Sequence, residues 1–309
     1  MKLTRFAKYV WFVLIFNLGV ILWGAYVRAT GAGAGCGNHW PLCNGEVIPR
    51  SDQIETLVEF THRLSSGLAF LLVFGMLIWA WRIFPKGHRV RAGAILSMIF
   101  MISEALVGAG LVLFELVADN ESTARALFIS VHLVNTFILL ACITLTARWA
   151  SGGKGVVLRW GEAYIWVLMV GFIGLLILGM SGALTALGDT LFPVNSIEEG
   201  IRQDFSSTAH FLVRLRILHP TIAVVVALYL IMAISWIISK VRQNENKIIG
   251  RVIISLLLVQ LLAGLINVLL LAPVWMQLVH LLLSDSVWIF LILYASATLS
   301  QGDSVFDAD

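Results

Sequence analysis

The chain has 309 residues, 59% apolar and only 13% charged, with a net charge of +3. Its mean hydropathy is +0.92. Soluble domains carry about 25% charged residues, so this composition excludes an ordinary soluble protein and points to lipid-embedded helices. The small basic excess is scattered through short connections, which excludes a nucleic-acid-binding stripe.

Eight apolar runs lie near residues 9–30, 62–83, 92–114, 126–148, 162–184, 211–239, 251–272 and 276–297. Each holds about 20 residues or slightly more, enough to cross a hydrocarbon core of roughly 30 Å as a helix. They lack the alternation of barrel strands. Run one follows Lys2, Arg5 and Lys8 and has no clear cleavage site, so it is read as a retained span. No long Arg/Ser-rich leader is present, which favours a bacterial plasma membrane over an organelle. Basic residues fill the second, fourth and sixth connections: Arg82, Lys86, Arg89 and Arg91; Arg148, Lys154 and Arg159; Lys240, Arg242, Lys247 and Arg251. These connections and both termini are expected on the cytoplasmic side, and the acidic tail Asp303–Asp309 carries little weight in that choice. The long sixth run is expected to tilt or project, with a bend at Pro220.

The chain looks doubled. GAYV at Gly24–Val27 pairs with GALT at Gly182–Thr185, and EALVG at Glu104–Gly108 pairs with QLLAG at Gln260–Gly264. VHL recurs at Val131–Leu133 and Val279–Leu281, and His62 finds a counterpart in His219. Order and near-constant spacing predict two four-helix halves, 1–150 and 151–309, as parallel repeats. The long connections 31–58 and 188–210 are expected to cover the outer ends of these bundles.

Of seven histidines, His39, His88 and His210 belong to loops or helix ends. His62, His132, His219 and His280 each lie early in an even-numbered run, hence at similar depth. Ionisable groups inside a bilayer are costly and mark function. Facing imidazole pairs in an apolar bundle suit bis-axial haem ligation. Zinc or copper would call for a tighter, more polar cluster. Arg28, Arg63, Arg214 and Arg216 stand near these positions and are candidates for holding propionates; snorkelling to headgroups would also account for them.

The polar residues concentrate in the first half. Glu59 and His62 share a helix face, and Glu59 is a candidate to hold or transfer a proton; an ion pair with Arg63 is the other reading. Glu104 is a second, deeper carboxylate candidate. Cys36 and Cys43 lie in the glycine-rich outer loop, where a structural disulfide, a redox role and metal binding are all open. The second half looks like a closed electron carrier, the first like a site with room for substrate.

GAYVRATGAGAGCGNHWPLC, EFTHR and EALVGA, together with His132, His219 and His280, resemble the haem A synthase family over nearly the whole chain. The resemblance implies an integral membrane enzyme that oxidises the methyl group of haem O to the formyl group of haem A. Two successive hydroxylations and loss of water from a geminal diol would give the aldehyde. It implies His62 and His132 at the substrate haem, with Glu59 as the essential carboxylate beside it. His219 and His280 would ligate a resident haem b, and Cys36 and Cys43 would match the often disulfide-linked loop pair. Haem O synthase and haem–copper oxidase assembly are the implied partners; a homo-oligomer is left open. Two departures stand out: the loop after run five lacks a second cysteine pair, and Pro220 replaces the expected arginine after His219. The rival readings are a dihaem-b electron-transfer cytochrome and a haem-binding assembly protein.

Overall fold

A computed structural model describes residues 3–50, 52–158, 160–241 and 243–300. Lys2, Arg159, Arg242 and the acidic tail from Asp303 to Asp309 lie outside them. The described chain is helical, an all-α fold, with a 3-10 turn at Ala32–Ala34 and an isolated bridge between Cys43 and Glu46. Its helices are α1 (Arg5–Ala29), α2 (Ile54–Ile83), α3 (Arg89–Leu113), α4 (Thr123–Ala150), α5 (Ala163–Leu191), the short α6 (Ile197–Asp204), α7 (Phe211–Leu215), α8 (Leu218–Lys240), α9 (Asn244–Leu269) and α10 (Val274–Leu299). Among the described residues eight spans are long and apolar enough to cross a membrane, counting Phe211–Lys240 as one.

Every apolar run becomes a helix, but several helices outrun the apolar pattern. α2 begins at Ile54, so His62 lies two turns inside it rather than at its opening. Hydropathy reports the lipid-facing stretch, whereas the backbone continues its hydrogen bonds into polar sequence until something caps it. The caps are local: Thr4 Oγ1 accepts from Ala7 N, Ser122 Oγ from Arg125 N, and the rings of His88 and His210 from Val90 N and Leu212 N.

The sixth span is broken at Arg216–Ile217. Pro220 has no N–H to donate to the carbonyl of Arg216, four residues earlier, and it tolerates only the first turn of a new helix. α8 accordingly starts at Leu218. The bend expected at Pro220 therefore falls one turn before it.

Within the first four helices, α1 packs on α2, α2 on α3, α3 on α4 and α4 on α1. Among the later spans, α5 packs on α8, α8 on α9, α9 on α10 and α10 on α5. The two sets meet where α1 and α4 face α5 and α10. In the most apolar stretch of each span, 44% of residues are buried in α4 and in α10, against 17% in α5 and α9, so α4 and α10 form the middle. There the Trp288 indole donates to the Phe137 carbonyl at 2.7 Å and stacks on the Phe137 ring with centroids 4.8 Å apart. Two tyrosines clasp adjacent helices in matching fashion: Tyr9 donates to Leu72 O and Tyr229 to Val167 O, both at 2.9 Å.

Candidate functional site

All four singled-out histidines lie within the first ten residues of an even-numbered span. Each ring sits against a glycine of a neighbouring helix. A Cβ on Gly24 would stand 2.9 Å from the His62 ring, one on Gly182 2.9 Å from His219, one on Gly264 3.1 Å from His280, and one on Gly108 3.9 Å from His132. Small residues let a helix approach that closely; a Cβ at Gly24 or Gly182 would force the imidazole to shift, and one at Gly264 would press tightly on it. GAYV/GALT and EALVG/QLLAG are thus the seats of the four imidazoles.

The His219 and His280 rings are 6.4 Å apart, centre to centre, with planes at 85°. A metal–imidazole nitrogen bond is about 2 Å, so two imidazoles on one metal ion place their ring centres roughly 6 Å apart. Among the described residues no three His, Cys, Asp or Glu side chains converge to hold a metal. Paired imidazoles would suit a metal that brings most of its own ligands. The glycine-lined seats and the paired rings fit haem.

The arginines divide sharply. Arg28, on α1, reaches across to the later spans: it donates to Ala186 O at 2.6 Å, Thr190 Oγ1 at 2.8 Å and Gln277 Oε1 at 2.8 Å. Gln277 is one turn before His280, so Arg28 stands beside the His219/His280 pair. Arg216 pairs with Asp204 at 2.8 Å and Asp189 at 3.3 Å, and also donates to Gln203 and Phe192 O. Its fork is occupied, and it fastens α6 to α5 and the sixth span. Arg214 is engaged by the Ser207 carbonyl near the protein surface.

Arg63 grips Glu59 Oε1 through Nε at 3.1 Å and Nη2 at 2.5 Å, and its Nη1 donates to the carbonyls of His39 and Leu42. Glu59 Oε2 accepts from Cys36 N at 2.8 Å. Glu59, 3% exposed, is thus the buried link between α2 and the loop. Cys36 and Cys43 form a disulfide that closes this loop. Thr56 donates to Gly35 O at 2.7 Å, and a Cβ on Gly35 would fall 2.4 Å from Glu55 backbone; only glycine lets the loop lie this close to α2.

Several polar partners were not evident from residue pattern. Glu104 bonds Asn135 and Thr136 and stands 3.4 Å from His132 Nδ1. Gln260 stands 3.3 Å from the His280 ring. The internal repeat paired Glu104 with Gln260, but contact with histidine needed coordinates. Asp285, fully buried in α10 with neither carboxylate oxygen partnered among the described residues, was detectable as an acid inside an apolar run.

A family profile described as COX15-CtaA, cytochrome oxidase assembly protein, matches residues 7–292. The chain is 54% identical over 300 residues to a Thermus thermophilus protein named protoheme IX farnesyltransferase, covering 97% of this chain and 49% of that one. It is 37% identical over 146 residues to heme A synthases of Bacillus mycoides and Bacillus cereus, covering 46% of this chain and 45% of each of those. The chain spans about half the length of the Thermus relative it matches. With the profile running through all eight spans, the chain belongs to the COX15-CtaA family of cytochrome oxidase assembly proteins.

Proposed function

We propose that this chain oxidises the methyl group of haem O to the formyl group of haem A, using haem b as its electron-transfer cofactor. Residues 1–150 form a substrate half and residues 151–309 a haem b half. The two are pseudo-symmetric four-helix bundles in a bacterial plasma membrane with both termini cytoplasmic. The observation that carries this reading is the double set of imidazoles seated on glycine, with His219 and His280 at 6.4 Å and nearly perpendicular. The names of the Bacillus relatives agree with it.

In this account His62 and His132 hold the substrate haem, and His219 and His280 hold haem b. Haem b, when bound, supplies one-electron chemistry at its iron. The protein's own contribution is placement and exclusion of water. Glu59 and Arg63 pin the disulfide-closed loop to α2 one turn before His62, and Glu59 would hold a proton during methyl oxidation only by loosening its bonds to Arg63 and Cys36 N. Arg28 supplies a cation beside the His219/His280 pair, where a propionate would compete for it with Thr190 and Gln277. Arg63 and Arg214 can serve propionates only by releasing backbone carbonyls, and Arg216 only by breaking its ion pairs.

The Thermus relative's name raises farnesyl transfer as a competing activity. That name belongs to a protein of which this chain covers 49%. Farnesyl transfer to protohaem instead fits the reaction that supplies the substrate here, which makes a haem O synthase a natural partner and haem–copper oxidase assembly the destination.

Expression beside a haem O-producing enzyme, followed by haem extraction and mass analysis, tests the reading. Conversion to the alcohol and aldehyde supports it. Two unmodified haem b molecules per chain under turnover would make the chain an electron-transfer cytochrome instead.

A further inference from the structure

The two halves place different chemical groups against equivalent histidines. On α3, Glu104 stands with Oε1 3.4 Å from His132 Nδ1. Two α4 residues hold its carboxyl group in place: Asn135 Nδ2 donates to Oε2 at 2.5 Å, and the Thr136 hydroxyl bonds Oε1. Asn135 is itself fixed by Ser103, which donates to its Oδ1 at 2.6 Å, and by its own donation to Phe100 O at 2.9 Å. The imidazole that Glu104 faces has no hydrogen-bond partner on Nδ1 among the described residues.

On α9 the corresponding residue is Gln260. Its amide nitrogen lies 3.3 Å from His280 Nε2, not Nδ1, and donates to His280 O at 3.1 Å, while its own Oε1 and His280 Nδ1 are left without a hydrogen-bond partner among the described residues. Leu283 and Ser284 occupy the places of Asn135 and Thr136 in the repeat. The second half thus lacks both the carboxyl group and the amide that would hold it.

We propose that Glu104 is a positioning residue that accepts from the His132 Nδ1–H and makes this imidazole a stronger electron donor, so that the haem held by His62 and His132 has a lower reduction potential than it would with an amide there. The physical basis is general: a carboxylate on the far nitrogen of a ligating histidine fixes the ring's tautomer and raises its basicity, and a more basic axial ligand stabilises the oxidised iron. The neutral Gln260 leaves His280 without that donation. The exchange of Glu for Gln, with loss of the Asn135 and Thr136 cradle, is thus one of the differences between the two histidine pairs. The role given to Glu104 rests on the haem reading of both histidine pairs.

The test uses purified full-length wild type, Glu104→Gln, Glu104→Asp and Gln260→Glu, each saturated with haemin and quantified by extraction before potentiometric titration. Glu104→Gln is expected to retain haem and shift one transition to higher potential, with Glu104→Asp in between. Gln260→Glu is expected to shift the other transition to lower potential. Unmoved potentials in both Glu104→Gln and Gln260→Glu, with haem retained, overturn the inference. If Glu104→Gln loses its haem, the role there is structural and the shift in Gln260→Glu decides alone. Failure of the wild type to bind haem at either pair rejects the haem reading itself, an outcome distinct from unmoved potentials.

Discussion

Beside His62 the chain lays a loop closed by the Cys36–Cys43 disulfide and fastened by Glu59, Arg63 and Thr56. Beside His219 it lays the short helix α6, fastened by ion pairs from Arg216 to Asp204 and Asp189. The histidine seats themselves are alike: Gly24 and Gly182 approach their imidazoles equally closely. What repeats is the grip, and what differs is the cover and the polar group behind the ring. A duplicated scaffold can keep a shared ligand geometry while its loops diverge toward separate tasks, because loops carry few of the packing constraints that fix the helices.

The largest expected effect breaks the shared part. Gly182→Val and Gly24→Val each drive a side chain into an imidazole and should abolish haem at the affected pair, read as lost haem absorbance after purification. Gly108→Ala, where a Cβ meets His132 only at 3.9 Å, should keep its haem. Equal tolerance at all three positions would show that the glycines do not seat the rings.

The covers should differ in what destroys them. Arg216→Met leaves Asp189 and Asp204 without their cation and should cost about 3 kcal/mol, seen as a lowered unfolding temperature in detergent. Cys36→Ser should cost about 2–3 kcal/mol, and wild type under reducing conditions should lose the same amount, while Arg216→Met should not respond to reductant beyond that shared loss. Arg63→Lys keeps the charge but loses the fork that holds Glu59, His39 and Leu42 together, and should cost about 1–2 kcal/mol. Smallest of all, Glu245→Ala removes an exposed partner of Arg148 and should change stability by no more than about 0.5 kcal/mol.

The helices, the glycines beside the four histidines and the Cys36–Cys43 pair were legible in the sequence, and the contacts that fasten the two covers were not. Eight apolar runs, four histidines and the GAYV/GALT and EALVG/QLLAG repeats are signals of composition and spacing, and the helices and imidazole seats follow them. The partners of Arg216 are different. Asp189 and Asp204 are separated from it by loop geometry that no periodicity encodes, so it looked free for a propionate. The position of Arg28 in the last turn of α1 was readable, yet its reach to Thr190 and Gln277 depends on how α1 meets α5 and α10. Glu59 shows both sides: its place one turn from His62 was readable, and its bond to Cys36 N was not.

The central claim is that His219 and His280 together grip one haem iron. The most direct measurement is the haem content and low-temperature absorption spectrum of purified His219→Ala and His280→Ala beside wild type. The account predicts a six-coordinate, low-spin haem b in wild type that is lost or converted to a high-spin form in each variant. An undiminished low-spin spectrum at full haem content in both variants would contradict it.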